Sequence, residues 1–109
     1  MLSERLPSGF FKFHVLRLLS ERPMYGYELM KVLEEKLEMR VSQSIVYPIL
    51  HELERRGLAV GEWRRCGDGG GKDGNKGRHR KYYRLTRRGE EELQRLTERL
   101  LKFYKILFE

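Results

Sequence analysis

A chain of 109 residues with 39% hydrophobic side chains has room for one domain around one modest core, and not for a second. Its net charge of +7 is concentrated between Glu62 and Arg88, where Arg64, Arg65, Lys72, Lys76, Arg78, Arg80, Lys81, Arg84, Arg87 and Arg88 outnumber Glu62, Asp68 and Asp73; the remaining sequence is balanced. One cysteine excludes an intramolecular disulfide, three scattered histidines exclude a clustered zinc site, and the apolar run from Phe10 to Leu19, broken by Lys12, His14 and Arg17, is too short and too charged to span a membrane or to export the chain, which places it in the cytoplasm.

Ser8 can cap a first helix, about Gly9 to Glu21, whose apolar residues Phe11, Val15, Leu18 and Leu19 follow helical spacing and which must end before Pro23. After a turn at Pro23 and Met24, Leu29, Val32, Leu33 and Leu37 predict a second helix ending near Met39. Ser42 can cap a third helix with Ile45, Ile49, Leu50 and Leu53 facing inward, Pro48 within about its first turn, and Gly57 where it stops. Leu58 to Arg65 and Arg80 to Leu85 read as strands of a hairpin. Between them Gly67 to Gly77 holds six glycines in eleven residues, a tip expected to take one conformation only when held by a partner. Of the neighbouring Tyr82 and Tyr83, which point to opposite faces, Tyr83 shares its face with Leu85 and is expected in the core. Thr86 can cap a last helix, with Glu90, Glu91 and Glu92 suited to its positive end.

This order is mostly α: a winged helix-turn-helix over residues 1–86, with an additional C-terminal helix over 87–109, joined as one compact unit. A basic, flexible hairpin beside a short helix suits a polyanion, and double-stranded DNA is the partner this arrangement fits. On the third helix Ser42, Gln43, Ser44, Tyr47 and His51 lie opposite the apolar positions; Gln pairs with adenine in the major groove and Ser bonds bases or phosphates. In the wing Lys72, Lys76, Arg78 and Arg80 are candidates for phosphate or minor-groove contact. Gly69, Gly71 and Gly74 match a dinucleotide-binding pattern, yet no helix follows them, and no nucleophile with its base can be assembled from these residues. The chain reads as a protein that is not an enzyme and needs no metal or cofactor.

Along the last helix Leu93, Leu96, Leu100, Phe103 and Leu107 step by three and four, either a core stripe or a seam for another helix. A second stripe of Leu101, Tyr104 and Phe108, and the aromatic cluster of Phe10, Phe11 and Phe13, favour a homodimer interface that includes Phe10 and Phe11.

Together these residues resemble the PadR family of winged-helix transcriptional regulators, in its short form with a single C-terminal helix. The resemblance rests on Pro23-Met24-Tyr25-Gly26-Tyr27-Glu28-Leu29, on Tyr47-Pro48 with Leu53-Glu54 and Gly57-Leu58, and on Gly77-Arg78 followed by Arg80-Lys81-Tyr82-Tyr83-Arg84-Leu85-Thr86 and Gly89. It implies a homodimer joined through the first and last helices, with helix three and the wing on DNA, acting as a repressor. It also implies that Tyr25, Ser44, Tyr47 and Lys81 stand near DNA. Some members answer to small aromatic inducers, for which a pocket lined by helix one and helix four is the candidate site here. A sequence-tolerant architectural DNA-binding protein and a winged-helix protein-interaction module are the alternative functions.

Overall fold

The computed structural model describes residues 8–65 and 79–109. Its first helix, α1, spans Ser8–Glu21, with Ser8 inside the helix. Phe11, Val15, Leu16, Leu18 and Leu19 are buried along it, an apolar face wide enough for α1 to sit at the centre of the core. The residues after Pro23 are not a bare turn: Met24–Tyr25 forms a two-residue strand, β1, that buries Met24. Helix α2, Gly26–Leu37, follows at once and stops two residues short of Met39, because Glu38 takes the left-handed conformation (φ 54°) and the Glu34 carboxylate accepts the Val41 N–H at 3.0 Å.

Helix α3, Gln43–Arg55, begins as expected, but Ser42 does not cap it with its side chain; its hydroxyl is hydrogen-bonded to that of Ser44 at 2.7 Å. The buried face is also centred one position later than the apolar spacing suggested, on Val46, Leu50 and Leu53, with Ile45 and Ile49 half-buried at its edges. Pro48 lies in the second turn, where its missing N–H removes the intrahelical donor for the Ser44 carbonyl. Gly57 (φ 74°) ends the helix: its N–H reaches Glu54 O at 3.0 Å and Leu58 N–H reaches Leu53 O at 2.8 Å, the two bonds of a Schellman stop.

Strands β2, Ala59–Arg65, and β3, His79–Leu85, pair antiparallel, and β1 joins the far side of β3, giving the order β1-β3-β2. Tyr83 is buried beside Leu85, while Tyr82 on the other face is half-buried against Tyr25. The hairpin tip, with Lys72, Lys76 and Arg78 and its expected ordering by a partner, lies outside the described residues.

Thr86 caps the last helix, α4, Arg87–Leu107: its Oγ1 accepts the Gly89 N–H at 3.1 Å and donates to Gly57 O at 2.7 Å, tying the start of α4 to the end of α3. The expected seam then divides. Leu93 and Leu96 are half-buried and pack on the chain's own core, whereas Leu100, Phe103 and Leu107 are exposed, Leu107 by 76%. Phe11 corrects the interface expectation, since at 6% exposure it belongs to the core and offers no face to a second copy. Phe10 is half-buried, edge-on to both Phe11 and His14.

Glu92 was expected to serve the helix dipole from the surface and is instead buried between α1 and α4, paired with Arg95 and 3.7 Å from Lys12 Nζ. Burial raises its pKa, but the hydrogen bond from Arg95 and the positive charges of Arg95, Lys12 and Arg56 outweigh it, and the carboxyl titrates below its ordinary value of 4.5. A carboxyl depressed on folding stabilises the fold above its unfolded pKa and loses that contribution as pH falls through the folded value. Glu92→Gln is therefore expected to cost about 1 to 2 kcal/mol in urea denaturation at pH 7, with the gap to wild type closing below pH 4.5. A gap independent of pH would show that packing, not charge, holds Glu92.

Candidate nucleic-acid interface

Opposite residues of an antiparallel pair share a face, so the register Gly61↔Tyr83, Trp63↔Lys81 and Arg65↔His79 turns these side chains toward α3. Between this inner face of the wing and the exposed flank of α3 lies an open groove of about 620 Å³. Tyr47 and His51 of α3 line one side of it, Trp63, His79 and Lys81 the other, and Tyr25 with Tyr27 closes the end near α2.

Each wall is placed by local packing. The Tyr47 side chain lies against the start of α2, where a Cβ on Gly26 would come within 2.5 to 2.7 Å of two ring carbons and the hydroxyl oxygen, so glycine at 26 lets the tyrosine seat there. Tyr25 is held edge-on to Tyr82 at 5.2 Å. Two guanidinium groups lie over these rings, Arg80 at 4.5 Å from the Tyr25 centroid and Arg64 at 4.6 Å from that of Tyr82. Stacking of this kind orients the planar cation, and Arg64 also lies 3.8 Å from the Glu62 carboxylate.

Ser42, Gln43, Ser44 and His51 are exposed, as a surface entering a DNA groove requires, and Tyr47 is half-buried. The exposed flank of α3 carries no lysine or arginine before Arg55, whose guanidinium is held by both Glu52 carboxylate oxygens at 2.8 Å. Lys81 lines the groove and is also paired across it. Its Nζ donates to Glu54 Oε1 of α3 at 3.0 Å, and this hydrogen bond raises its pKa above the ordinary value. The structure therefore gathers Tyr25, Tyr47, His51, Arg80 and Lys81 around one groove and sets Ser42, Gln43 and Ser44 on the exposed first turn of α3. Lys72, Lys76 and Arg78 lie outside the described residues.

Three residues lining the groove, Tyr27, Trp63 and His79, carry no assignment from the sequence, and neither does Glu54, which meets the groove through Lys81. Trp63 was within reach, because strand alternation from Gly61 puts it on the same face as Tyr83. Glu54 carried no such signal; its partner is 27 residues away and the two meet only when the hairpin folds against α3.

Among the described residues no group of histidine, cysteine, aspartate or glutamate is placed to hold a metal ion, and no helix is long and apolar enough to cross a membrane. What the groove offers is cations, hydroxyls, imidazoles and aromatic faces, a set for binding rather than for chemistry.

Known proteins share this arrangement over nearly the whole chain. A PadR family transcriptional regulator from Eggerthella lenta is 34% identical and superimposes with a TM-score of 0.69, covering 93% of this chain and 83% of its own. A Streptococcus transcriptional regulator is 26% identical with a TM-score of 0.77, over 96% and 95% of the two chains. A PadR-like transcriptional regulator from Bacillus cereus is 25% identical with a TM-score of 0.76, over 91% and 88%. The family model described as the transcriptional regulator PadR-like family matches residues 15–95, from the middle of α1 through both sides of the groove to the buried half of α4. With fold and family model coinciding, the chain belongs to the PadR-like family of transcriptional regulators, DNA-binding proteins and not enzymes.

Proposed function

We propose that the protein is a homodimeric, sequence-specific repressor of the cytoplasm that lays the exposed flank of α3 in the major groove of DNA and its wing along the neighbouring backbone. The observation that carries this reading is the groove itself, with an uncharged polar and aromatic helix face on one side and a stacked, cationic hairpin on the other. Helix α3 then reads bases through Gln43, Ser44 and Tyr47, and the wing supplies affinity. Residues 100–108, the end of α4 and the residue after it, include seven large apolar side chains exposed to solvent, more than a solitary monomer leaves uncovered. A second copy covering them through a two-fold axis would present two α3 helices to a palindrome.

Selection from random duplex DNA at physiological salt is expected to enrich a palindrome with half-sites about one helical turn, roughly 34 Å, apart. Affinity for it should fall steeply with salt. A second reading, a sequence-tolerant architectural protein, is favoured by the lack of a free-standing cation early in α3, where Arg55 is the first and is paired with Glu52. Binding without enrichment would establish that second reading. Failure to bind duplex DNA would instead turn attention to the apolar end of α4 as a surface for a different protein.

A further inference from the structure

We infer that Lys81 is not a phosphate ligand but one half of a latch, with Glu54, that sets the distance and angle between the reading helix and the wing. The inference rests on the DNA-bound reading of the groove and says how that groove keeps its shape. Lys81 comes from β3 and Glu54 from the last turns of α3, so the 3.0 Å bond joins the two elements that must meet DNA together. The ammonium also lies 5.3 Å from the centroid of the buried Tyr83 ring and 6.0 Å from that of Trp63, and both partners remain part-exposed.

Gly61 of β2 supplies the independent observation. A Cβ at this position would collide with Lys81 Cε, lie 3.3 Å from Cδ, and stand 3.1 Å from Glu54 Oε2. The strand has no side chain where the lysine stem crosses it to reach the carboxylate. A position on a third element therefore makes room for this pair. Paired in this way, Lys81 and Glu54 carry no net charge toward a polyanion, while fixing the lever on which Arg64 and Arg80 are mounted.

A phosphate ligand and a latch leave different signatures. Removing a lysine that neutralises a phosphate lowers the slope of log affinity against log salt by about 0.9. Removing a latch weakens binding and leaves that slope unchanged. Lys81→Gln and Glu54→Gln are each expected to weaken operator binding about tenfold with the wild-type slope, and the double variant to be no worse than either single, as expected for one coupled pair. The sign for Glu54→Gln is the informative one, since deleting a negative charge beside DNA would otherwise tighten binding. The charge swap Glu54→Lys with Lys81→Glu keeps the local net charge and is expected to recover part of the loss.

Anisotropy of Trp63, the chain's one tryptophan, reads the same hinge without DNA and should fall in Glu54→Gln. Circular dichroism verifies that the variants remain folded. A wild-type protein that binds its operator, a Lys81→Gln variant that loses about one unit of slope, and a Glu54→Gln variant that binds more tightly would overturn the latch alone. So would an unchanged Trp63 anisotropy. A wild type that binds no duplex would bring down the DNA-bound reading first, and the latch as a DNA-positioning device with it.

Discussion

A chain carrying Phe103→Glu and Leu107→Glu is expected to be monomeric in sedimentation and to lose operator affinity by on the order of 10²- to 10⁴-fold, the difference between two tethered half-site contacts and one. Both side chains are mostly solvent-exposed, so the substitutions leave the domain's own core untouched and its circular dichroism unchanged. The buried half of α4 ends at Leu96 and Thr97, after which the helix runs for three more turns with Leu101, Tyr104, Ile106 and Phe108 also uncovered. Burying such side chains is worth roughly 25 cal/mol for every Å² removed from water, and two carboxylates from each copy would have to be desolvated in the seam for the dimer to form. Binding to a single half-site should change little, because neither Phe103 nor Leu107 lines the groove. A wild-type protein that sediments as a monomer, or a doubly charged variant that still dimerises, would remove α4 from the interface.

The division of α4 shows where sequence reasoning succeeds and where it stops. Apolar steps of three and four along Leu93 to Leu107 disclose a helix with one sticky face, but nothing local says that the chain's own core is used up after Leu96. That depends on how far α1 extends beneath it. The strand β1 was missed for a related reason. Two residues have no periodicity, and Met24 and Tyr25 become a strand only because Tyr83 and Tyr82 of β3 stand opposite them. The family resemblance does include Tyr25 and implies a place near DNA, without disclosing the strand that holds it. Caps were legible where the donor lies within one turn, as at Thr86, and deceptive at Ser42, where a neighbouring Ser44 competes for the same hydroxyl. The chemistry of the groove was legible residue by residue. Its assembly was not, because Glu54 with Lys81 and Gly26 with Tyr47 are juxtapositions made by folding.

The same kind of juxtaposition sets the largest expected change in stability. Gly89→Ala is expected to destabilise the protein by about 3 kcal/mol, the upper end of the usual cost of overpacking a well-filled core, and to be visible as an earlier urea midpoint with little change in m-value. The first turn of α4 lies against the corner where α3 ends, and a Cβ on Gly89 would overlap the Leu58 carbonyl oxygen, with Leu58 C at 3.1 Å and Leu85 Cδ2 at 3.0 Å. Leu85 could rotate; the carbonyl is held. Leu58 O accepts the Thr86 N–H at 3.0 Å, Leu58 N–H is committed to Leu53 O at 2.8 Å, and Thr86 Oγ1 is spent on Gly57 O and Gly89 N–H. Relief therefore requires α4 to move as a body. That movement would strain the Thr86 cap and draw Glu92 away from Lys12, so the loss is shared across contacts that cannot be repaired separately. Because α4 also carries the proposed interface, the variant should dimerise more weakly than wild type although no interface side chain has been altered. A substitution that left both the urea midpoint and the dimer unchanged would mean that α4 is not rigidly seated on the winged helix.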